Sequence, residues 1–160
     1  MPEHPFPPVF DERSRILILG SFPSVKSRET AFFYGHPQNR FWPLLARLLG
    51  ERKPESVEEK TRLLLSRRIA LWDVVASCEI RGSSDLSIKN AEANDLSRIF
   101  AEAQIRAIFC NGKTSFALYR KLLLPKTRRE AICLPSTSPA NAAWNEDRLF
   151  DSWKIILQEI

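Results

Sequence analysis

Four short apolar runs, separated by amphipathic segments, restrict the folds open to this 160-residue chain. The runs are Ile16–Leu19, Ile69–Trp72, Ala107–Cys110 and Ile132–Leu134. They are too short for helices, and they lack the strict apolar–polar alternation of a half-exposed strand. Both properties are typical of parallel strands that helices cover on both faces. The chain is therefore predicted to fold as one α/β domain, residues 1–160, with three layers around a mainly parallel sheet.

Amphipathic helices are predicted between and after these strands. They cover Arg40–Leu49, a segment from Ser56 to Ser66 that opens with a capping box, Asp95–Glu102, Lys113–Leu123 and a C-terminal stretch from about Asn145. Right-handed crossovers bring the carboxyl ends of the strands to one edge of the sheet. Ligands of open α/β sheets bind at that edge, so the loops that leave it are the first candidates for a site.

Composition favours some partners and argues against others. The formal charge is +5, and 16 of the 24 basic residues are arginine. This excess favours a polyanionic partner, although a solvated basic surface explains it equally well. No apolar run approaches the ~18 residues of a membrane-spanning helix, and the proline-rich start lacks the apolar core of a signal peptide. A cytoplasmic protein is expected, associated with the nucleoid if the source is bacterial, and no membrane partner.

Cysteine and histidine are too few and too scattered to indicate a metal site. The three cysteines are Cys78, Cys110 and Cys133, an odd number at wide spacings, and the two histidines are His4 and His36. This pattern predicts neither a disulfide framework nor a set of metal ligands. Cys110 and Cys133 lie in predicted strands and are expected to be buried, inert thiols. No metal and no cofactor are expected.

The loop after the first strand contains the most distinctive stretch, Tyr34–Trp42. It combines aromatic rings, a histidine and a side-chain amide, a mixture that suits a pocket for a flat polar ring. Phe41 and Trp42 follow the helical periodicity and are predicted to lie in the core. Tyr34 falls outside that periodicity and is free to stack on a ligand.

Two polar residues of this stretch admit more than one interpretation. Asn39 suits the N-cap of the following helix, or an amide that binds a ligand, or both roles at once. His36 precedes Pro37 and is therefore held out of helical geometry. It suits an acid, a phosphate contact or a packing residue of the loop.

The other strand ends also carry polar groups. Gly20 ends the first strand and allows a ligand to approach the backbone closely. Asp73 directly follows the second strand and suits either a cap or an acceptor for the ring N–H of a base. The loop Pro135–Trp144 holds hydroxyls and an amide between two prolines, which suits phosphate oxygens or an ordinary surface loop. The stretch Gly82–Asp85 reads as a flexible polar turn.

Three segments together, Gly20–Ser24, Tyr34–Trp42 and Ser136–Asn141, resemble the uracil-DNA glycosylase superfamily, most closely its hypoxanthine-DNA glycosylase (deoxyinosine, family 6) branch. The resemblance spans about Ile16 to Trp153. It implies a four-stranded parallel sheet in the order 2-1-3-4 between helices, and monofunctional hydrolysis that excises a deaminated base from DNA during base excision repair.

The resemblance also implies roles for individual residues. Asn39 and Ser136 are the catalytic candidates. Base binding falls to Gly20, Ser21, Phe22, Tyr34 and Asp73, and DNA binding falls to Ser24, His36, Ser138, Ala140 and Asn141. The partner would be double- or single-stranded DNA with a deaminated base, bound by a monomer without metal or cofactor.

This chain departs from the superfamily pattern at three of these positions. Many members place an acid or asparagine where this chain has Phe22, a histidine or asparagine where it has Ser136, and a leucine wedge where it has Ala140. These departures argue against an ordinary uracil enzyme. They leave open a uracil or xanthine specificity within the superfamily, an inactive nucleic-acid-binding module, or a hydrolase of free nucleosides.

Lysine and arginine residues leave two further questions open. Lys26, in the loop after the first strand, is the lysine that a Schiff-base mechanism would use, and a surface role explains it better. The basic segment around Arg120–Arg129 suits either non-specific DNA affinity or simple solvation.

Overall fold

The computed structural model describes residues 7–23, 27–28, 32–79 and 88–160. Its centre is a sheet of four parallel strands. Counted along the chain, these strands lie side by side in the order 2-1-3-4, as predicted. The strands are β1 (Ile16–Gly20), β2 (Ile69–Asp73), β5 (Ala107–Asn111) and β6 (Ile132–Leu134). Every residue of β1 and β2 is buried, as expected for strands covered on both faces.

Helices pack on this sheet and begin close to their predicted positions. They are α1 (Phe41–Leu49), α2 (Val57–Ser66), α3 (Ser97–Glu102), α4 (Lys113–Leu122), a short α5 (Leu124–Thr127) and α6 (Glu146–Trp153). The predicted capping box of α2 is confirmed, because Ser56 Oγ accepts from Glu59 N at 3.0 Å while Glu59 Oε1 accepts from Ser56 N at 3.2 Å. The Glu59 carboxylate also accepts from Glu55 N at 2.9 Å. The hydrogen bonds from the backbone N–H groups of Glu55 and Ser56 lower the pKa of the Glu59 carboxyl.

Helix α1 anchors the distinctive loop to the core. Phe41 and Trp42 are 1% and 3% exposed, so their predicted core positions are confirmed. The Trp42 indole N–H donates to the carbonyl of Phe33 at 3.0 Å, and the Phe41 ring packs edge-on against Trp153 with 6.0 Å between centroids. Burial of each such aromatic side chain stabilises the fold by about 1.5–3 kcal/mol. The start of α1 is therefore rigidly held.

The structure contains elements that the sequence did not predict. Strands β3 (Val75–Glu79) and β4 (Lys89–Ala93) form a separate antiparallel pair directly after β2. Strand β4 is mostly exposed and has no apolar run, so no periodicity marks it. The predicted C-terminal helix is shorter than expected, since α6 gives way to a 3₁₀ helix over Lys154–Gln158. The turn predicted over Gly82–Asp85 lies outside the described residues.

One burial prediction is wrong. Cys110 is buried, and burial raises the pKa of its thiol to about 12, but Cys133 is exposed. Strand β6 is an edge strand of three residues with a single neighbour, and only Leu134 is buried. The other edge strand, β2, is fully buried and pairs at Leu71 with Val9, so an apolar run at a sheet edge is covered only where a further segment packs on it. Among the described residues, no helix is long and apolar enough to cross a membrane.

Candidate functional site

A cavity of about 500 Å³ opens at the carboxyl edge of the parallel sheet. This volume suits a small flat molecule. It brings together most of the residues that the sequence singled out. Its lining comprises Gly20, Ser21, Phe22, Pro23, Ser27, Phe33, Tyr34, His36, Asn39, Asp73, Asn111, Ser136, Thr137, Ser138, Pro139 and Ala140.

The floor of the cavity is built around Gly20. In the register of β1 and β2, Gly20 lies opposite Asp73, whose side chain is almost fully buried. A Cβ atom added to Gly20 would lie 2.3 Å from Asp73 Oδ1 and 2.9 Å from Tyr34 Oη. The two oxygens therefore converge on the space that a side chain would fill. Glycine is required here for close approach, as the sequence suggested.

Tyr34 is held by the core rather than by the loop alone. Its backbone adopts φ 54°, a left-handed conformation that costs a non-glycine residue on the order of 1–3 kcal/mol. Its ring stacks on Phe41 with 4.3 Å between centroids and 25° between planes. One face of the ring is thus covered by a core aromatic side chain. Phe22, on the other side of the loop, is buried, and the Arg28 guanidinium lies 5.6 Å from its ring centroid.

Asn39 combines the capping and cavity roles that the sequence left open. Helix α1 begins at Phe41, and its N-cap residue Arg40 makes no side-chain cap. Asn39 Oδ1 instead accepts from Phe41 N at 2.9 Å. The same oxygen accepts from Thr137 Oγ1 at 2.9 Å. The carbonyl end of this amide is therefore tied to the protein at two points.

Thr137 and Asn111 orient this amide, and sequence reasoning missed both. The two residues exchange a pair of hydrogen bonds at 3.0 Å: Thr137 N donates to Asn111 Oδ1, and Asn111 Nδ2 donates to Thr137 Oγ1. Both are buried. Asn111 ends an apolar strand just as Asp73 does, and that shared position was the signal available in the sequence.

The hydrogen-bond directions determine what Asn39 can offer a ligand. A backbone N–H can only donate, so the Asn39 atom facing Phe41 must be the oxygen. Thr137 Oγ1 receives from Asn111 Nδ2, so its own proton is available to Asn39. Both lone pairs of Asn39 Oδ1 are thereby used. The group left for the cavity is the Nδ2 amide, which carries two donors and no acceptor.

Arg40 holds the loop after β6 against the start of α1. Its guanidinium donates to the carbonyls of Thr137 (3.4 Å), Ser138 (2.9 Å), Asn141 (3.1 Å) and Trp144. Its backbone N–H also donates to the carbonyl of Thr137 at 3.1 Å. One fork-shaped cation thus gathers carbonyls of the loop that carries three of the predicted DNA contacts.

The remaining predicted residues divide between cavity and scaffold. His36 Nδ1 accepts from Gln38 N at 3.0 Å, which assigns the ring proton to Nε2. The hydroxyl oxygens of Ser136 and Ser138 each accept from a backbone N–H at 3.1 Å, from residues 138 and 140 respectively, so their own protons remain available as donors.

Asn141 is the one described candidate that does not line the cavity. Its Nδ2 donates to the Ser136 carbonyl at 3.0 Å and braces the loop from within. Its assignment to DNA binding stays a prediction. Ser24 and Lys26 lie outside the described residues.

In the described part of the chain, no cluster of three or more histidine, cysteine, aspartate or glutamate residues could hold a metal ion.

The basic segment Arg120–Arg129 lies away from the cavity. Helix α4 runs away from the carboxyl end of β5, and Arg129 Nη2 donates to the Ile105 carbonyl at 2.6 Å, before β5 begins. This segment therefore lies at the opposite edge of the sheet.

Comparison with known proteins shows what this arrangement resembles. A family model for the uracil DNA glycosylase superfamily matches residues 7–158. A protein of Methanosarcina acetivorans named hypoxanthine DNA glycosylase is 37% identical over 145 residues, which cover 89% of this chain and 90% of that protein. A protein of the same name from Methanosarcina barkeri is 40% identical over 118 residues, 72% of this chain and 74% of that protein.

A solved structure is also similar over almost the whole chain. It is a solution NMR structure from Methanosarcina acetivorans, provisionally named a uracil DNA glycosylase. It superposes with a TM-score of 0.81 at 36% identity and covers 96% of this chain and 94% of that one.

Proposed function

This chain belongs to the uracil DNA glycosylase superfamily, and we propose that it hydrolyses the N-glycosidic bond of deoxyinosine in DNA and releases hypoxanthine. Two relatives that carry the name hypoxanthine DNA glycosylase support this substrate. The observation that carries the proposal is the pairing of an acceptor, Asp73, with a donor, Asn39 Nδ2, in one cavity.

The pair is complementary to the face of hypoxanthine that adenine lacks. Hypoxanthine presents N1–H as a donor beside O6 as an acceptor. With Asp73 at N1 and Asn39 at O6, both positions are satisfied. Adenine reverses both, with an acceptor at N1 and a donor at N6, so each contact would be unpaired. An unpaired buried polar group costs about 1–3 kcal/mol, and a site built on such groups rejects the wrong base strongly.

The target base must leave the duplex to reach this cavity. Glycosylases rotate the nucleotide out of the stack, at a cost of a few kcal/mol that is lower at a mispair. In the cavity the base would lie beside Tyr34 and Phe22. The hydroxyl protons of Ser136 and Ser138 are available to the sugar and the flanking phosphates.

Asn39 would accelerate bond cleavage by stabilising the departing base. Negative charge develops on the base as the bond to C1′ breaks, and an N–H donor already aimed at it needs no reorganisation. One such donor contributes on the order of 10²–10³ in rate. Asn39 has no lone pair left to activate water. A carboxylate has no N–H to offer the leaving base, so the proposed part of Asp73 is recognition of N1–H.

The variant Asn39→Asp tests this role. It keeps the shape of the side chain and an oxygen for Phe41, and it removes the N–H donors. We expect single-turnover excision of hypoxanthine to slow by about 10²–10³-fold. Retained or faster excision would show that an acceptor at this position activates water, and the assignment would be wrong. Asn39→Ala, with circular dichroism to verify folding, is the matched control.

Uracil is the second candidate base, because its N3–H and O4 present the same donor and acceptor. Duplexes that each contain one deoxyinosine, deoxyuridine or deoxyxanthosine separate these specificities, with alkali cleavage reporting the abasic site. Free deoxyinosine tests the nucleoside hydrolase. Binding to all duplexes without any abasic product would sink the proposal and indicate an inactive module. Action as a monomer is part of the proposal, and light scattering after gel filtration measures it.

A further inference from the structure

We propose that the amino edge of the parallel sheet is a second phosphate-binding surface, which holds a segment of duplex DNA other than the one that enters the cavity. The surface is a row of five arginines: Arg68, Arg15, Arg106, Arg128 and Arg129. We call it the arginine row. The proposal rests on DNA being the partner and does not require that excision occurs.

The strand register places these arginines side by side. Arg15, Arg68 and Arg106 each immediately precede a strand, and the first residues of those strands pair with one another, Ile16 with Ile69 and with Ala107. Their backbones are hydrogen bonded, Arg15 N to the Arg68 carbonyl at 2.8 Å and Arg106 N to the Arg15 carbonyl at 2.6 Å. Neighbouring strands lie about 4.8 Å apart, so like charges are stacked across the sheet.

The fourth strand extends the row. Arg129 precedes β6, and its Nη2 donates to the Ile105 carbonyl at 2.6 Å, next to Arg106. Arg128 is exposed in a left-handed conformation with φ 55°. Arg68 and Arg106 are exposed as well, whereas Arg15 and Arg129 are half-buried and donate to backbone carbonyls. The three exposed arginines are the ones available to a ligand.

Acidic side chains near this edge do not neutralise the row. Asp11 lies 3.9 Å from Arg13, and Glu51 lies 3.0 Å from Arg67, so these two carboxylates pair with arginines outside the row. Glu12 and Glu130 are near Arg15 and Arg129 in the sequence, and both glutamates are exposed to solvent. Within residues 7–23, 27–28, 32–79 and 88–160, no ion pair joins a carboxylate to an arginine of the row. Adjacent like charges are unfavourable, so a bound anion would stabilise this edge.

The row and the cavity cannot serve one short duplex. They lie at opposite ends of five-residue strands, about 16 Å apart along the strand direction alone. Duplex DNA of this length does not bend around the protein, because its persistence length is about 150 base pairs. None of the described residues that line the cavity is lysine or arginine. The row thus supplies cationic groups that the lining of the cavity lacks.

Duplex DNA fits the row better than an acidic protein does. Guanidinium groups bind phosphate and carboxylate alike in a bidentate fashion, but only duplex DNA presents a rigid row of charges, one phosphate per about 1.7 Å of axis. Three phosphate contacts give a salt slope of about −2.7. The dissociation constant of the second duplex should therefore rise about 40-fold between about 50 and about 200 mM salt.

The experiment counts duplexes bound per protein by sedimentation velocity, using an undamaged duplex of about 12 base pairs, which is too stiff to bend from one edge of the sheet to the other. We expect two per wild-type chain and one for Arg68→Gln/Arg106→Gln/Arg128→Gln. The matched control, Arg52→Gln/Arg62→Gln/Lys154→Gln, removes the same charge from exposed positions elsewhere and should keep two. Thermal melts verify that both variants fold.

Four outcomes would overturn the proposal. These are one duplex per wild-type chain, equal loss in the control variant, displacement of the second duplex by polyglutamate of equal charge, or slower excision by the row variant on a duplex of about 12 base pairs containing deoxyinosine. Excision by the row variant within twofold of wild type, with one duplex lost, supports it. Absence of excision in every protein would refute the proposed function alone, since the duplex count does not depend on cleavage.

Discussion

The variant Thr137→Val tests whether the amide of Asn39, the proposed donor to the leaving base, is positioned by its buried neighbours. Valine has nearly the shape of threonine and replaces the hydroxyl by a methyl group, so no cavity forms. The side chain is completely buried, which leaves no space for water to replace the lost oxygen. The hydrogen bond from Thr137 N to Asn111 Oδ1 at 3.0 Å is unaffected.

The expected magnitudes follow from the two hydrogen bonds that are lost. Asn111 Nδ2 loses its acceptor in a buried site, which costs about 1–3 kcal/mol. We therefore expect the free energy of unfolding to fall by about 2 kcal/mol and the melting temperature by about 4–8 °C. Asn39 keeps its bond to Phe41 N but loses the one from Thr137, so its amide is free to rotate. If the misoriented amide stabilises the transition state by about 1.4–2.7 kcal/mol less, excision slows about 10–100-fold.

Two assays separate these effects. Urea denaturation measures stability, and single-turnover release of hypoxanthine at saturating enzyme measures the chemical step. Thr137→Ser is the control, because it retains the hydroxyl and should restore most of the rate. Wild-type excision by Thr137→Val despite lower stability would refute the positioning role. Equal losses in the serine and valine variants would show that the methyl group, not the hydroxyl, matters.

The remaining predictions concern recognition, scaffold and thiols. Asp73→Asn should lower the preference for deoxyinosine over deoxyadenosine at least about tenfold in a competition assay, with DNA binding unchanged. The reason is that the asparagine amide can donate to N1 of adenine, which a carboxylate cannot do. Arg40→Lys keeps the charge but cannot reach the same carbonyls, so urea denaturation should show a loss of about 2 kcal/mol, and unchanged stability would contradict the scaffold role. Gly20→Ala should stay folded and lose at least about 10²-fold in excision, because its Cβ would enter the space beside Asp73. A thiol reagent at pH 8 should label the exposed Cys133 before Cys110, which should react only after unfolding, because burial raises the pKa of both thiols but that of Cys110 to about 12.

The sheet was predictable because its physics is local. Runs such as Ile16–Leu19, apolar at every position, are typical of strands covered on both faces, and this pattern marks the strand and the class of fold together, although the apolar β6 is exposed at one edge. The polar residues that end such runs, Gly20 and Asp73, could be assigned to one edge from topology alone. The pair β3 and β4 could not, because β4 is exposed and carries no apolar signal.

The supporting residues of the cavity were not predictable from the sequence. Thr137 reads as one hydroxyl among several in its loop, and its partner Asn111 is 26 residues away. Arg40 sits in a helix-start sequence, yet it bonds carbonyls 97 to 104 residues later. Such contacts depend on how loops fold back in space, and no periodicity records them. They nonetheless decide which atom of Asn39 faces the cavity.

The hydrogen bonds that close the β3–β4 pair have a consequence for the position of Asp73. Asn94 Nδ2 donates to the carbonyls of Asp73 at 2.9 Å and Val75 at 3.2 Å, and Asn94 N donates to the carbonyl of Val74 at 2.8 Å. These bonds join the residue that follows β4 to the backbone at the end of β2 and the start of β3, beside the floor of the cavity. Asp73 is thereby held from two directions, by its position at the end of β2 and by the residue that follows β4. A substitution that removes the Asn94 amide is therefore expected to shift Asp73 although Asn94 does not line the cavity.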